Sequence, residues 1–185
     1  FYFKPRVDKE LLRKHSEGLI CLSACLVGNV ARRILNGDYE GAKNEALELR
    51  DIFGENNFFL EVQNHMLPED VTVQEGLKRL SAETGIPMVA TNDIHYIRKE
   101  DARAQEILMC IQTQTNINDE NHMKFENDEF YMKSEEEMKA LFPDMPDAVE
   151  RTQEIADRCN VEFTFGEYHL PEYIPPDGKS CNEYL

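Results

Sequence analysis

An α/β fold built on a parallel sheet is what this sequence predicts, and three observations carry the expectation. Compact apolar runs at Gly18–Leu22, Phe58–Val62 and Met88–Ala90 alternate with stretches of helical periodicity, which is the grammar of βα units. Each run discharges into polar residues: Ser23 and Cys25, then Gln63 to His65, then Thr91 to His95. Parallel strands joined by right-handed crossovers gather ligand sites at their carboxyl ends, so these three exits are where chemistry is expected.

Composition bounds the rest. A chain of 185 residues with 41% hydrophobic content can bury one ordinary core and carry a small appendage. It opens at Phe1 without a signal sequence or an apolar run long enough to cross a membrane, and is expected to be a piece of a longer soluble protein. The 36 acidic against 20 basic residues give a formal charge of -16, and no Lys/Arg stripe is interleaved with aromatics. Such a surface repels DNA, so a nucleic-acid role belongs to other parts of a parent protein or to a small metal-neutralised site. Five cysteines without a CxxC pair suit a reducing cytoplasm.

In chain order, the aromatic and basic opening Phe1–Arg6 precedes Asp8, which introduces a short helix over Lys9 to His15 with Leu11 and Leu12 inward. His15 falls in its last turn, where a cation is favoured, and reads as structural. Gly18–Leu22 is the first strand. Cys21 lies inside it as a small hydrophobe, whereas Cys25 lies at the exit, either inert or, as a thiolate, a ligand for a borderline metal such as zinc. A helix over Val27 to Leu35 ends at Gly37, and Asp38 caps the next, whose buried face is Ala42, Ala46, Leu49, Ile52 and Phe53. In the strand Phe58–Val62, Glu61 needs a partner, either a cation, a hydroxyl or solvent on an edge strand, and the role of His65 stays open. A helix from about Asp70 to Thr84, with Val71, Leu77 and Leu80 inward, leads to the strand at Met88. Beyond it, Asp93 and His95 lie two residues apart on an extended segment and so point to one side, where a carboxylate and an imidazole could hold a metal ion or a phosphate-like group. The alternative is that Asp93 caps the following helix and His95 is a surface histidine.

After Tyr96 the pattern changes. Asp101 caps a helix through Cys110 and Ile111, and a polar loop from Gln112 to Glu126 leads to a short strand at Phe130–Met132. Ser134 followed by three glutamates is a capping-box start for a helix to Leu141. A helix over Asp147 to Cys159, a strand over Val161 to Phe165 and an extended connector from His169 to Gly178 complete the chain. His122 and His169 fall in loops and are expected to be solvated.

Three stretches, Gly18–Cys25, Val89–Tyr96 and Lys124–Lys133, stand in one order and spacing with the connector and the terminal Tyr184–Leu185. Together they closely resemble the PHP (polymerase and histidinol phosphatase) domain of bacterial replicative DNA polymerase III alpha subunits. The resemblance covers nearly the whole chain. It implies part of a distorted seven-stranded βα barrel over 1–115, followed by a mixed helical and short-strand connector toward the polymerase palm over 116–185. It also implies that Cys25, Asp93 and His95 are metal ligands, with Asp93 and His95 catalytic, for zinc or manganese in a cluster whose other ligands, an His-x-His pair among them, lie outside this chain. The polymerase site, with its magnesium, also lies elsewhere, and no D-x-D occurs here. By resemblance the parent is a cytoplasmic DNA-directed DNA polymerase that meets DNA through other domains and works with a proofreading exonuclease and a sliding clamp. Its PHP site is either a metal-dependent 3'-5' exonuclease or an inactive scaffold.

Overall fold

The computed structural model describes residues 6–168 and 173–184. Its centre is a three-stranded parallel sheet in the order β1 (Cys21–Leu22), β2 (Phe58–Val62), β3 (Met88–Ala90). Cys21 pairs with Phe58, and Leu60 with Met88. The first crossover holds α2 (Asn29–Leu35) and α3 (Tyr39–Phe53), and the second holds α4 (Pro68–Thr84). Before the sheet stands α1 (Lys9–Lys14), and after it come α5 (Ala102–Thr113), α6 (Glu135–Leu141), α7 (Pro146–Arg158) and a last turn, α8 (Cys181–Tyr184).

The element ends have local causes. Asp38 accepts the Gly41 N–H at 3.0 Å and starts α3, while Gly37, at φ 75°, makes the turn that a side chain would strain. Pro68 occupies the first turn of α4, where its missing N–H costs nothing, and Gly85 closes the helix in the left-handed region. Ser134 and Glu137 form the reciprocal capping box of α6.

The core lies on the sheet. Ala42, Ala46 and Phe53 of α3, Leu77 and Leu80 of α4, and Phe58, Leu60 and Val62 of β2 are buried together. Phe142 and Met145, in the link between α6 and α7, and Ala148 and Val149 of α7 join the same cluster. Arg151 of α7 donates to the carbonyl of Met88 at 2.6 Å, and Arg158 to that of Asn56 at 2.8 Å, so α7 is tied to the amino ends of β3 and β2, away from the strand exits.

Several expectations need correction. The sheet does not close into a barrel among the described residues. β1 is two residues long instead of five, and Phe130–Met132 yields a single Tyr96–Tyr131 bridge in place of a strand. Val161–Phe165 is no strand either: Val161, Phe163 and Phe165 are all exposed, and the segment pairs with no strand among the described residues. In α4 the inward residue is Val73, with Val71 exposed, and in α1 Leu12 packs while Leu11 is exposed. The carboxylate of Asp101 caps the short 3₁₀ turn Lys99–Asp101 through the Arg98 N–H, ahead of α5. His169 and the first part of the connector lie outside the described residues. No helix among those described is long and apolar enough to cross a membrane.

Candidate metal centre

Because all three strands are parallel, their carboxyl ends lie on one edge of the sheet, and the three polar exits lie along it. At the β1 exit, Ser23 is buried and its hydroxyl accepts the Glu61 N–H at 2.8 Å. The chain then doubles back so tightly that a Cβ on Gly28 would stand 2.5 Å from the Ser23 carbonyl oxygen. Glycine is required there, and the tight turn holds Cys25 half-buried at the end of β1. Cys21, inside β1, is a different thiol: burial, helped by the Glu61 carboxylate, pushes it up to about 11, so it stays protonated at neutral pH.

At the β2 exit, Glu61 finds hydroxyl and amide partners, accepting from Thr91 Oγ1 and from Gln63 Nε2 at 3.3 Å. His65 is 2% exposed. Its ring stacks on Phe130 with centroids 4.3 Å apart, and its Nε2 lies 3.3 Å from the Asn92 carbonyl. Asp70, equally buried, accepts the N–H groups of His65 (2.7 Å) and Leu67 (3.1 Å) on Oδ2. Its Oδ1 is buried without a hydrogen-bond partner, and Asp70 lines one small cavity together with Cys25, Glu61 and Gln63.

At the β3 exit the backbone bends sooner than expected. Asp93 has φ 31°, so the segment does not continue as the extended chain that the alternation argument assumed. The bend brings His95 Nδ1 to 2.8 Å from the Asp93 carbonyl. A carbonyl only accepts, so Nδ1 carries the proton and the Nε2 lone pair is left available. The His95 ring is exposed and leans on Phe125 (4.7 Å) and on the edge of Phe130 (5.8 Å). Its N–H, at 2.9 Å, and that of Tyr96 both donate to the Phe130 carbonyl.

A thiol, a carboxylate and an imidazole are the donor types zinc takes, so the set fits in kind. It is incomplete as an enclosure: β2 separates the β1 exit from the β3 exit, and among the described residues no three His, Cys, Asp or Glu side chains gather closely enough to hold a metal ion. Sequence reasoning did not find the roles of His65 and Asp70. The Pro68–Asp70 pattern at the start of α4 was a usable signal for Asp70, while the His65–Phe130 stack joins residues too far apart in sequence to leave one. His122, expected to be solvated, has a ring only 8% exposed, held between the Asp119 carbonyl and Glu106 Oε1, each at 2.6 Å.

The chain is similar to one domain family and to one kind of known protein. The family described as "PHP domain" matches residues 1–65. Over the full chain, the DNA polymerase III subunit alpha of Borreliella burgdorferi (strain B31) is 48% identical, as is that of Treponema pallidum (strain Nichols), and that of Thermus aquaticus is 43% identical. The chain spans 16% of the length of each of these relatives.

Proposed function

The chain belongs to the family of the DNA polymerase III subunit alpha, as part of its PHP-bearing region, and from that premise we propose that Cys25, Asp93 and His95 contribute to a metal centre completed by residues elsewhere in the parent. The parent, in this reading, is a replicative DNA-directed DNA polymerase of the cytoplasm. It binds DNA, needs magnesium at its polymerase site and meets its replisome partners through other domains.

The observation that carries the reading is the orientation of His95. Metal-binding histidines as a rule donate their second ring N–H to a carboxylate or backbone carbonyl, and the Asp93 carbonyl serves His95 in that way. Zinc or manganese bound there would supply Lewis acidity toward a phosphodiester and lower the pKa of a coordinated water. The contribution of this chain is to hold donors: the Gly28 turn fixes Cys25, and the bend at Asp93 sets His95 in the tautomer that leaves Nε2 free.

One observation favours a second reading, a PHP scaffold that supports the polymerase and the proofreading subunit without cutting DNA: β2 stands between the β1 exit that carries Cys25 and the β3 exit that carries Asp93 and His95. A 3'-5' cleavage assay on the full-length protein separates the two. The active-site reading expects chelator-sensitive cleavage of single-stranded DNA that Asp93→Asn lowers by a hundredfold or so while primer extension continues, an effect of about 2.7 kcal/mol. Cleavage unchanged by Asp93→Asn, or absent from the unsubstituted protein, gives the scaffold reading.

A further inference from the structure

At the β2 exit a histidine outside the candidate ligand set grips the turn that carries two of the candidate ligands from both sides. On one side, His65 Nε2 faces the carbonyl of Asn92, the residue just before Asp93. The carbonyl makes Nε2 the donor of that pair, which fixes the ring's tautomer. On the other side, the His65 ring stacks on Phe130 with planes only 7° apart, and the Phe130 carbonyl takes the His95 N–H at 2.9 Å. The left-handed backbone at Asp93 therefore lies between two anchors that meet at one buried ring.

His65 is itself held. Its N–H donates to Asp70 Oδ2 at 2.7 Å, and its carbonyl accepts from Asn127 Nδ2 at 2.7 Å. These two bonds reach forward into α4 and across to the segment that contains Phe130. Burying an imidazole costs free energy unless its polar atoms are used, and a plain apolar side chain would fill the same space beside Phe130 at less cost. The polar ring at this position thus calls for a role that packing alone does not supply. The conformation at Asp93, φ 31°, is one that residues other than glycine adopt only when their surroundings impose it. His65 is the buried group placed to impose it.

We propose that His65 is a positioning residue of the metal centre: it touches no reacting atom, and it holds the Asp93–His95 turn in the conformation that presents Asp93 and the His95 Nε2. The proposal rests on the reading of Asp93 and His95 as ligands, and the test has one arm that does not.

Two substitutions separate stacking from hydrogen bonding. His65→Phe keeps the stack on Phe130 and removes the donor to Asn92, while His65→Gln keeps a donor at similar reach and removes the aromatic face. The first measurement is amide hydrogen exchange at Asp93–Tyr96, with zinc absent. The second is zinc affinity of the full-length protein by chelator competition, using zinc alone as the probe. In His65→Phe, exchange in the turn should accelerate at least tenfold while the β2 and β3 amides keep their protection. Zinc affinity should fall by about ten- to a hundredfold, the usual effect of losing a partner that orients a ligand, and His65→Gln should restore most of it. Unchanged exchange in the turn and unchanged zinc affinity in His65→Phe overturn the proposal. Should His65→Phe not fold, His65→Gln decides: turn protection and affinity within threefold of the unsubstituted protein support it, and loss of both as complete as in Asp93→Asn overturns it. If the unsubstituted protein takes up no zinc, the reading of the ligands fails and the exchange measurement alone decides for or against His65.

Discussion

Both ring nitrogens of His122 face acceptors, Nδ1 the Asp119 carbonyl and Nε2 the Glu106 carboxylate, which only the doubly protonated ring can satisfy. The Asp119 carbonyl first and Glu106 second hold His122 above the ordinary histidine value. Glu106 is pulled below the usual glutamate range by His122 and then by Arg103, while Lys124 opposes the charge on the ring weakly. A raised histidine pKa means that the stabilisation is complete below the unfolded value of about 6.5 and is lost as the pH rises through the folded one. For Glu106 the sign reverses: its stabilisation is present above the ordinary glutamate value and lost as the pH falls through its lowered one. The loop before Phe125 should therefore be held most firmly in mildly acidic solution. Ring titration by NMR should find His122 above 6.5 and lowered, though still held up by the Asp119 carbonyl, in Glu106→Gln; a titration at or below 6.5 in the intact protein would contradict the assignment. This pair was hidden in the sequence because Glu106 and His122 belong to a helix and a loop with no shared periodicity. The places of Cys25, Asp93 and His95 just beyond β1 and β3 were legible because a strand that ends in polar residues leaves a local signature. The bend at Asp93 was not, since nothing in Thr-Asn-Asp requires a left-handed residue.

Helices α2 and α4 pack closely enough to leave no room at Gly76, where an added Cβ would stand 2.6 Å from Ile34 Cγ2. Ile34 is buried and β-branched, so its χ1 cannot swing aside within α2. Gly76→Ala should lower stability by about 1–3 kcal/mol through overpacking, offset by about 1 kcal/mol from better helix propensity. Urea unfolding should show the net loss, and pairing the change with Ile34→Ala should make Gly76→Ala stabilising. A stabilised single variant would mean that the two helices sit further apart. At this scale β2 and β3 could be read to the residue, because an apolar strand bounded by turn signals has few alternatives. Val161–Phe165 alternates apolar and polar residues as a half-buried strand would and yet forms no strand, since a strand is made by its neighbour and periodicity cannot say whether a neighbour exists. Val71 and Val73 were exchanged because Leu77 and Leu80 follow Val73 by four and seven residues and share its face, whereas Val71, six residues before Leu77, falls on the far side of the helix.

For the whole molecule, the parallel sheet with its helical crossovers was legible, and barrel closure was an implication of family that these described residues do not carry. The charge of -16 makes the surface a poor platform for DNA, so an approach to a phosphodiester needs cations at one place, and the proposed reading has the strand-exit edge supply donors for them. What those donors hold can be read directly from the metal's side. X-ray absorption at the zinc edge of the full-length, zinc-loaded protein should show a sulfur neighbour at about 2.3 Å beside nitrogen and oxygen at about 2.0–2.2 Å. In Cys25→Ser the sulfur shell should vanish, and in His95→Ala the imidazole scattering should weaken while the sulfur shell persists. A sulfur shell that survives Cys25→Ser, or a zinc spectrum indifferent to both substitutions, would contradict the assignment of this edge as a metal centre.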